Sequence, residues 1–299
     1  MSGLVKIMGM SFGCLIAAYT LTDYELFYHK LVNASHLIIC CALIQYVAFE
    51  FFGVVGTEQL DYNMSFGFFL VIPTIMEFLE IWAEKKKRWI NLFFFVLSSV
   101  MIVTMGSRGA VLAVFIGCVL GFYSKTKLRR ALDFFLACVS SMAGVFLLFH
   151  YQSIAKFFYD FLVKYNIKSR MLAMLAYGDI TWSAGRDILQ EKVGKMIAKH
   201  PLIGNGMLSD NSSHNIFYEV ILFYGYPVGI LLILFLLAEW MKILYSEDEY
   251  KRKLMIVFGS YAIVDSLLNL TVLGKDMFWI YLGLALSTKL MKKNRGNVE

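Results

Sequence analysis

Apolar runs long enough to cross a membrane recur from end to end of this chain, and one long polar interval, from about Tyr151 to Asn215, interrupts them. About 20 apolar residues carry a helix across the roughly 30 Å hydrocarbon core of a bilayer. Lipid offers backbone N–H and C=O groups no partner, so spans of this kind must be helical. The sequence therefore predicts an all-α fold, a polytopic transmembrane bundle of about nine spans: roughly 4–21, 35–53, 64–83, 89–105, 109–124, 131–150, 214–240, 255–272 and 276–291. It divides into N-terminal membrane helices over 1–150, a long extracytoplasmic loop with short helices over 151–213, and C-terminal membrane helices with a cytoplasmic tail over 214–299.

Composition agrees with this reading. Hydrophobic residues make up 59% and charged residues 17%, where a soluble domain carries about 25% charge. The net charge of +6 is no nucleic-acid signal, because its cations sit in short loops beside apolar runs. Those loops hold Lys85 to Arg88; Lys125, Lys127, Arg129 and Arg130; Lys242, Lys251, Arg252 and Lys253; and a tail with Lys292, Lys293 and Arg295. The opposite loops hold Arg108 and Lys275 alone, so the positive-inside rule puts the basic set and the C-terminus in the cytoplasm. The interval 151–213 is then outside, and so is the N-terminus, where the first apolar run is expected to stay as a helix because no cleavage pattern follows it. Cys14, Cys40, Cys41, Cys118 and Cys138 all fall in apolar runs without ligand spacing and read as packing residues.

Within the polar interval, residues 151–168 carry Tyr151, Phe157, Phe158, Phe161 and Leu162 in the pattern of an interfacial amphipathic helix. Ser183 is placed to cap a helix from Ala184 to about Lys199, with Ile188, Leu189, Val193, Met196 and Ile197 on one face, ended by Pro201 and Gly204. Asn211-Ser212-Ser213 is a second capping cluster, before the span that opens at His214.

Few residues here carry chemistry. Arg108 lies between two apolar runs, and two readings stand: an arginine reaching to the headgroups, or an anion site suited to phosphate oxygens. Arg186 falls in the first turn of its helix, where dipole complementarity does not explain a cation. A salt bridge to Asp187 or Asp179 and a ligand contact are both open. An unperturbed histidine has a pKa of about 6.5, so His214 can exchange protons near neutral pH, with Asn215 beside it and Glu219 a turn later as candidates to orient it or an acceptor; the bland alternative is a helix-start cap. Ser107, next to Arg108, is a further candidate. His200, before Pro201, reads as structural. Glu77 and Glu80 are expected to pair with Lys85 to Arg88, and Gly225 and Gly229 to allow close helix contact. Asp265 and Asn269, one turn apart within a span, fit either helix-to-helix hydrogen bonding or function. There is no Cys/His cluster, His-Glu-x-x-His or phosphate-binding glycine loop, so no metal or nucleotide cofactor is expected.

Three pieces occur in a recognisable order: Gly106-Ser107-Arg108-Gly109-Ala110; Ala184-Gly185-Arg186, a helix, then His200-Pro201-Leu202-Ile203-Gly204-Asn205-Gly206; and His214-Asn215 followed by Gly225. From about Tyr62 to Gly229 the chain resembles the O-antigen ligase and O-antigen polymerase superfamily of bacterial membrane glycosyltransferases. The resemblance implies a metal-independent, multi-pass enzyme of the inner membrane. It would transfer a polyprenyl-diphosphate-linked glycan at the extracytoplasmic face to a second lipid-linked repeat unit. Arg108 and Arg186 would hold the donor diphosphate and His214 would act as the catalytic base. Partners would be the lipid-linked oligosaccharide, membrane lipid, a flippase and chain-length regulators. A ligase delivering glycan to lipid A-core or protein is the near alternative, although Gly229 falls one position later than the ligase branch's second glycine. A transporter or flippase without chemistry is the alternative from another class.

Overall fold

The computed structural model describes residues 2–52, 64–83, 87–105, 108–125, 152–164, 170–177, 186–206, 215–268 and 276–287. Among these the fold is all-helical, with no strand. The helices are α1 (Ser2–Tyr19), α2 (Tyr24–Phe52), α3 (Met64–Ala83), α4 (Arg88–Met105), α5 (Arg108–Lys125), α6 (152–164), α7 (Arg170–Tyr177), α8 (Arg186–Lys199), α9 (Ile216–Tyr245), α10 (Glu249–Leu268) and α11 (Asp276–Leu286). Two are long and apolar enough to cross a membrane: Tyr24–Ala48, with mean hydropathy 1.7, and Ile216–Ile243, with mean hydropathy 2.5. The expected span 131–150 lies outside the described residues, as do Cys138 and Asn269.

The chain forms two compact units, Met1–Tyr28 with Ser183–Glu299, and His29–Trp182. In the first, α11 packs on α1, α9 and α10, and α8 packs on α9. Polar residues tie one end of this unit together. Tyr24 Oη and Ser287 Oγ lie 2.8 Å apart, and Lys251 Nζ donates to Ser287 Oγ at 2.7 Å. Lys253 Nζ sits 5.1 Å from the Tyr28 ring centre and 4.9 Å from that of Tyr250, and pairs with Glu249 at 2.8 Å. These contacts explain why α2 begins at Tyr24 and not near residue 35. Asp23 Oδ1 accepts from Leu26 N at 2.8 Å, a side-chain cap, and Tyr24 and Tyr28 are buried among partners.

In the second unit α3 packs on α4 and α5. The close approach of α5 to α3 runs through Gly117 and Gly121: a Cβ at Gly121 would lie 2.6 Å from Leu79 Cδ2, and one at Gly117 would lie 2.7 Å from Ile75 Cγ1. This is a small-xxx-small contact. Close approach is also present at Gly225 and Gly229, where a Cβ would lie within 3.0 Å of Leu202 and Ile221 backbone, although the partners are a turn and the first half of the same helix. Helix α6 buries Ala155, with Tyr159 and Leu162, against Val103, Val111, Leu175 and Ala176. Its other face, with Phe157, Phe158 and Phe161, is exposed.

Glu77 is fully buried, and its Oε2 lies 3.2 Å from His36 Nε2 on α2. Arg88 Nε donates to the Ile81 carbonyl, and Lys85 and Lys86, expected partners of Glu77 and Glu80, lie outside the described residues. His36 and Glu77 lie within ion-pair distance, but neither makes a hydrogen bond there. Among the described residues the four cysteines are free thiols.

Candidate active site

Helix α9 is two half-helices joined at Gly225, whose φ of 76° and ψ of 175° leave the helical region. A break of this kind frees backbone groups on both sides, and in a low-dielectric setting each needs a partner. Tyr226 N loses its acceptor, Leu222 O. Phe223 O has no donor four residues on, because Pro227 has no N–H. The segment 201–206 supplies what is missing. Asn205 N donates to Leu222 O at 2.7 Å, Gly206 N to Phe223 O at 3.1 Å, and Tyr226 N donates to Pro201 O at 2.8 Å.

The fit is backbone against backbone. Gly204 has φ of 78°, and a Cβ there would overlap the Phe223 carbonyl oxygen and come within 2.6 Å of Gly225 N. A Cβ on Gly225 would overlap the Leu202 carbonyl and reach 2.9 Å from Ile203 N. Only glycine meets both the left-handed φ and the close approach. Asn205 adds a side-chain strut, donating from Nδ2 to Met196 O at 3.2 Å. Beneath the turn, Val193 and Ile197 of α8 bury against Leu222 and Phe223, flanked by Met196, Ile221 and Tyr224. The expected apolar face of α8 is thus present through Val193, Met196 and Ile197, while Ile188 is exposed. The described helix is Arg186–Lys199, and Ser183 and Ala184, its expected cap and start, lie outside the described residues.

The predicted site residues sit around this joint as follows. Arg186 is the first residue of α8. Asn215 is the N-cap of α9, its Oδ1 accepting from Phe217 N at 2.9 Å. That corrects the expected helix start at His214 and gives the Asn215 carbonyl oxygen a structural role. Glu219, one turn below, is buried, and its N–H bonds the Asn215 carbonyl at 3.0 Å. His200 is exposed, with its backbone carbonyl accepting from Gly204 N at 2.9 Å. Within this unit, Arg186, Asn215 and Glu219 are carried by two helices packed on one another. Arg108 is the first residue of α5 in the other unit and is partly buried. His214 and Ser107 lie outside the described residues. Asp265 is buried in α10.

The sequence reading missed the joint. Gly225-Tyr226-Pro227 was its signal: glycine before a proline in a long apolar run marks a break. Among the described residues no group of His, Cys, Asp and Glu is arranged to hold a metal ion. No family model, curated protein or solved structure matches the chain.

Proposed function

We propose that this chain is a multi-pass glycosyltransferase of the bacterial cytoplasmic membrane, with its active side outside, that polymerises polysaccharide repeat units from polyprenyl-diphosphate-linked glycans. The observation that supports it most is the joint at Gly225. Two of the sequence pieces that carry the resemblance to O-antigen polymerases are interlocked there: the stretch after Arg186 through Gly206, and Asn215 with Gly225. Residues far apart in sequence are held by backbone hydrogen bonds, which is what a preorganised site needs.

In this reading the acceptor hydroxyl oxygen attacks the anomeric carbon of the donor glycan. The bond from that carbon to the phosphate oxygen breaks, the lipid diphosphate leaves with the electron pair, and His214 takes the hydroxyl proton. General base catalysis of this kind is worth about 10²–10⁴-fold. Arg186 meets the charge that grows on the diphosphate. Arg108, which likewise opens a helix, is proposed as a phosphate contact on its own unit. Glu219 and Asn215 fix the chain next to His214, and α6, with its exposed phenylalanines, lies at the membrane surface.

One observation favours a transporter. Broken membrane helices mark transport sites, where unwound backbone coordinates substrate or ion. In α9, however, the freed Leu222 and Phe223 carbonyls and the Tyr226 N–H are taken up by residues 201–206. The break is sealed by the chain itself, which favours a fixed scaffold over a moving gate. Purified full-length protein in proteoliposomes with a lipid-linked repeat unit should give a ladder of longer glycans on lipid. Lipid-linked unit crossing the bilayer with no new glycosidic bond would establish the transporter. Glycan appearing on lipid A-core or protein alone would establish the ligase.

A further inference from the structure

Leu202 and Ile203 stand at the tip of the turn that seals α9, and they are 71% and 87% exposed. Apolar side chains this exposed on a turn held so tightly need an explanation in their surroundings. The geometry of α9 supplies one. Its second half, 226–245, is about 30 Å long at 1.5 Å per residue, the thickness of a hydrocarbon core. That half exposes Val228, Ile230, Leu231, Leu234, Phe235, Leu237 and Met241, as a lipid-facing helix does. The first half packs instead on α8, whose outer face carries the exposed pair Glu191 and Lys195 at 2.7 Å. A solvated ion pair belongs outside the hydrocarbon.

The junction at Gly225 therefore falls at the membrane surface, and the hydrogen bond from Tyr226 N to Pro201 O pins the turn to that level. The residues around it match. Tyr226 is 47% exposed at the top of the second half, where interfacial aromatics gather. Lys199, exposed, lies just before the tip, and a cation beside an apolar tip suits anionic headgroups.

We propose that the turn 201–206 is an interfacial membrane anchor, with Leu202 and Ile203 inserted among the acyl chains beside α9. The sealing turn would then do two things: close the break, and set the depth at which α8 rides on the bilayer. This inference goes beyond glycosyl transfer. It rests on 226–245 crossing the membrane and is independent of the chemistry proposed above.

The test is photo-crosslinking in phosphatidylethanolamine/phosphatidylglycerol nanodiscs. A benzophenone amino acid is placed at position 203, at 231 on the exposed face of the second half, or at 192 on the exposed face of α8. Adducts are read by mass spectrometry. The anchor predicts lipid adducts at 203 and 231 and none at 192. Lipid adducts at 231 with none at 203, or a peptide adduct at 203 from this chain or a second copy, would overturn the anchor alone. Absence of lipid adducts at 231 would overturn the membrane placement of α9, and the anchor with it.

Discussion

Among the described residues three glycines have left-handed backbone, yet their surroundings differ. Gly204 and Gly225 each press on backbone of the other segment, while Gly206, with φ of 79°, has open space where a Cβ would be. A Cβ in the left-handed region costs about 1–2 kcal/mol. Gly206→Ala should therefore lower stability by about that amount, and Gly204→Ala and Gly225→Ala by clearly more, because neither backbone can move aside. Thermal unfolding of the three variants in detergent checks the order. Asn215 offers a second residue-scale test. Losing an N-cap costs about 0.5–2 kcal/mol, so Asn215→Ala should destabilise the protein while Asn215→Ser restores most of the loss. Restored stability without restored transfer would give Asn215 a part in the chemistry as well. Lys251 gives a pH dependence. Burial, opposed by Asp248 and reinforced by Lys242, lowers its pKa from 10.5 to about 8. Between those values the unfolded chain binds more protons than the folded one, so the cost of the buried charge is full below pH 8 and is relieved as pH rises toward 10.5. Lys251→Met removes that cost at every pH. Its stability advantage over the wild type should shrink across this window, and a constant difference would show that the buried ammonium is not the cause.

At the scale of elements, buried pairs between helices decide more than hydropathy does. His36 and Glu77 join α2 to α3 without a solvent route for Glu77. Removing one member of a buried polar pair leaves the other unsatisfied, at about 1–3 kcal/mol, whereas replacing both with apolar groups can be nearly neutral. His36→Leu should be markedly less stable than His36→Leu with Glu77→Leu, as measured in a double-mutant cycle of unfolding. Equal stability of the two would mean that Glu77 is held by something else. Hydropathy alone made α3, α4, α5 and α11 legible in the sequence, because each is one apolar run bounded by polar or glycine residues, whereas α10 begins at Glu249 and takes in Lys251, Arg252 and Lys253, which read as a loop. The start of α2 was not, since Tyr24 and Tyr28 are ordered by Ser287, Lys253 and Tyr250, residues more than two hundred positions away. Nor was the use of the glycine pairs. Gly117 and Gly121 share the spacing of Gly225 and Gly229, and only Pro227 distinguishes the pair that breaks a helix from the pair that packs one.

For the molecule as a whole, the candidate site was legible as an order of short pieces and not as a shape. His200 to Gly206 stands out in the sequence, but nothing local says that its N–H groups complete a helix broken some twenty residues later. Arg186 and Asn215 begin two helices that this joint locks together, and the proposed polymerase places its diphosphate and its base at those two starts. The joint and the chemistry are separable experimentally. Substitutions at the joint should lower stability and transfer together, whereas substitutions of Arg186 or His214 should lower transfer alone. The most direct measurement is product-ladder formation from a polyprenyl-diphosphate-linked repeat unit by reconstituted wild type, Arg186→Ala, His214→Ala and, as a surface control, Lys192→Ala, at matched thermal stability. The wild type and Lys192→Ala should give a ladder, reduced by about 10²-fold or more in His214→Ala and strongly reduced in Arg186→Ala. An unchanged ladder in both Arg186→Ala and His214→Ala would contradict the proposed polymerase.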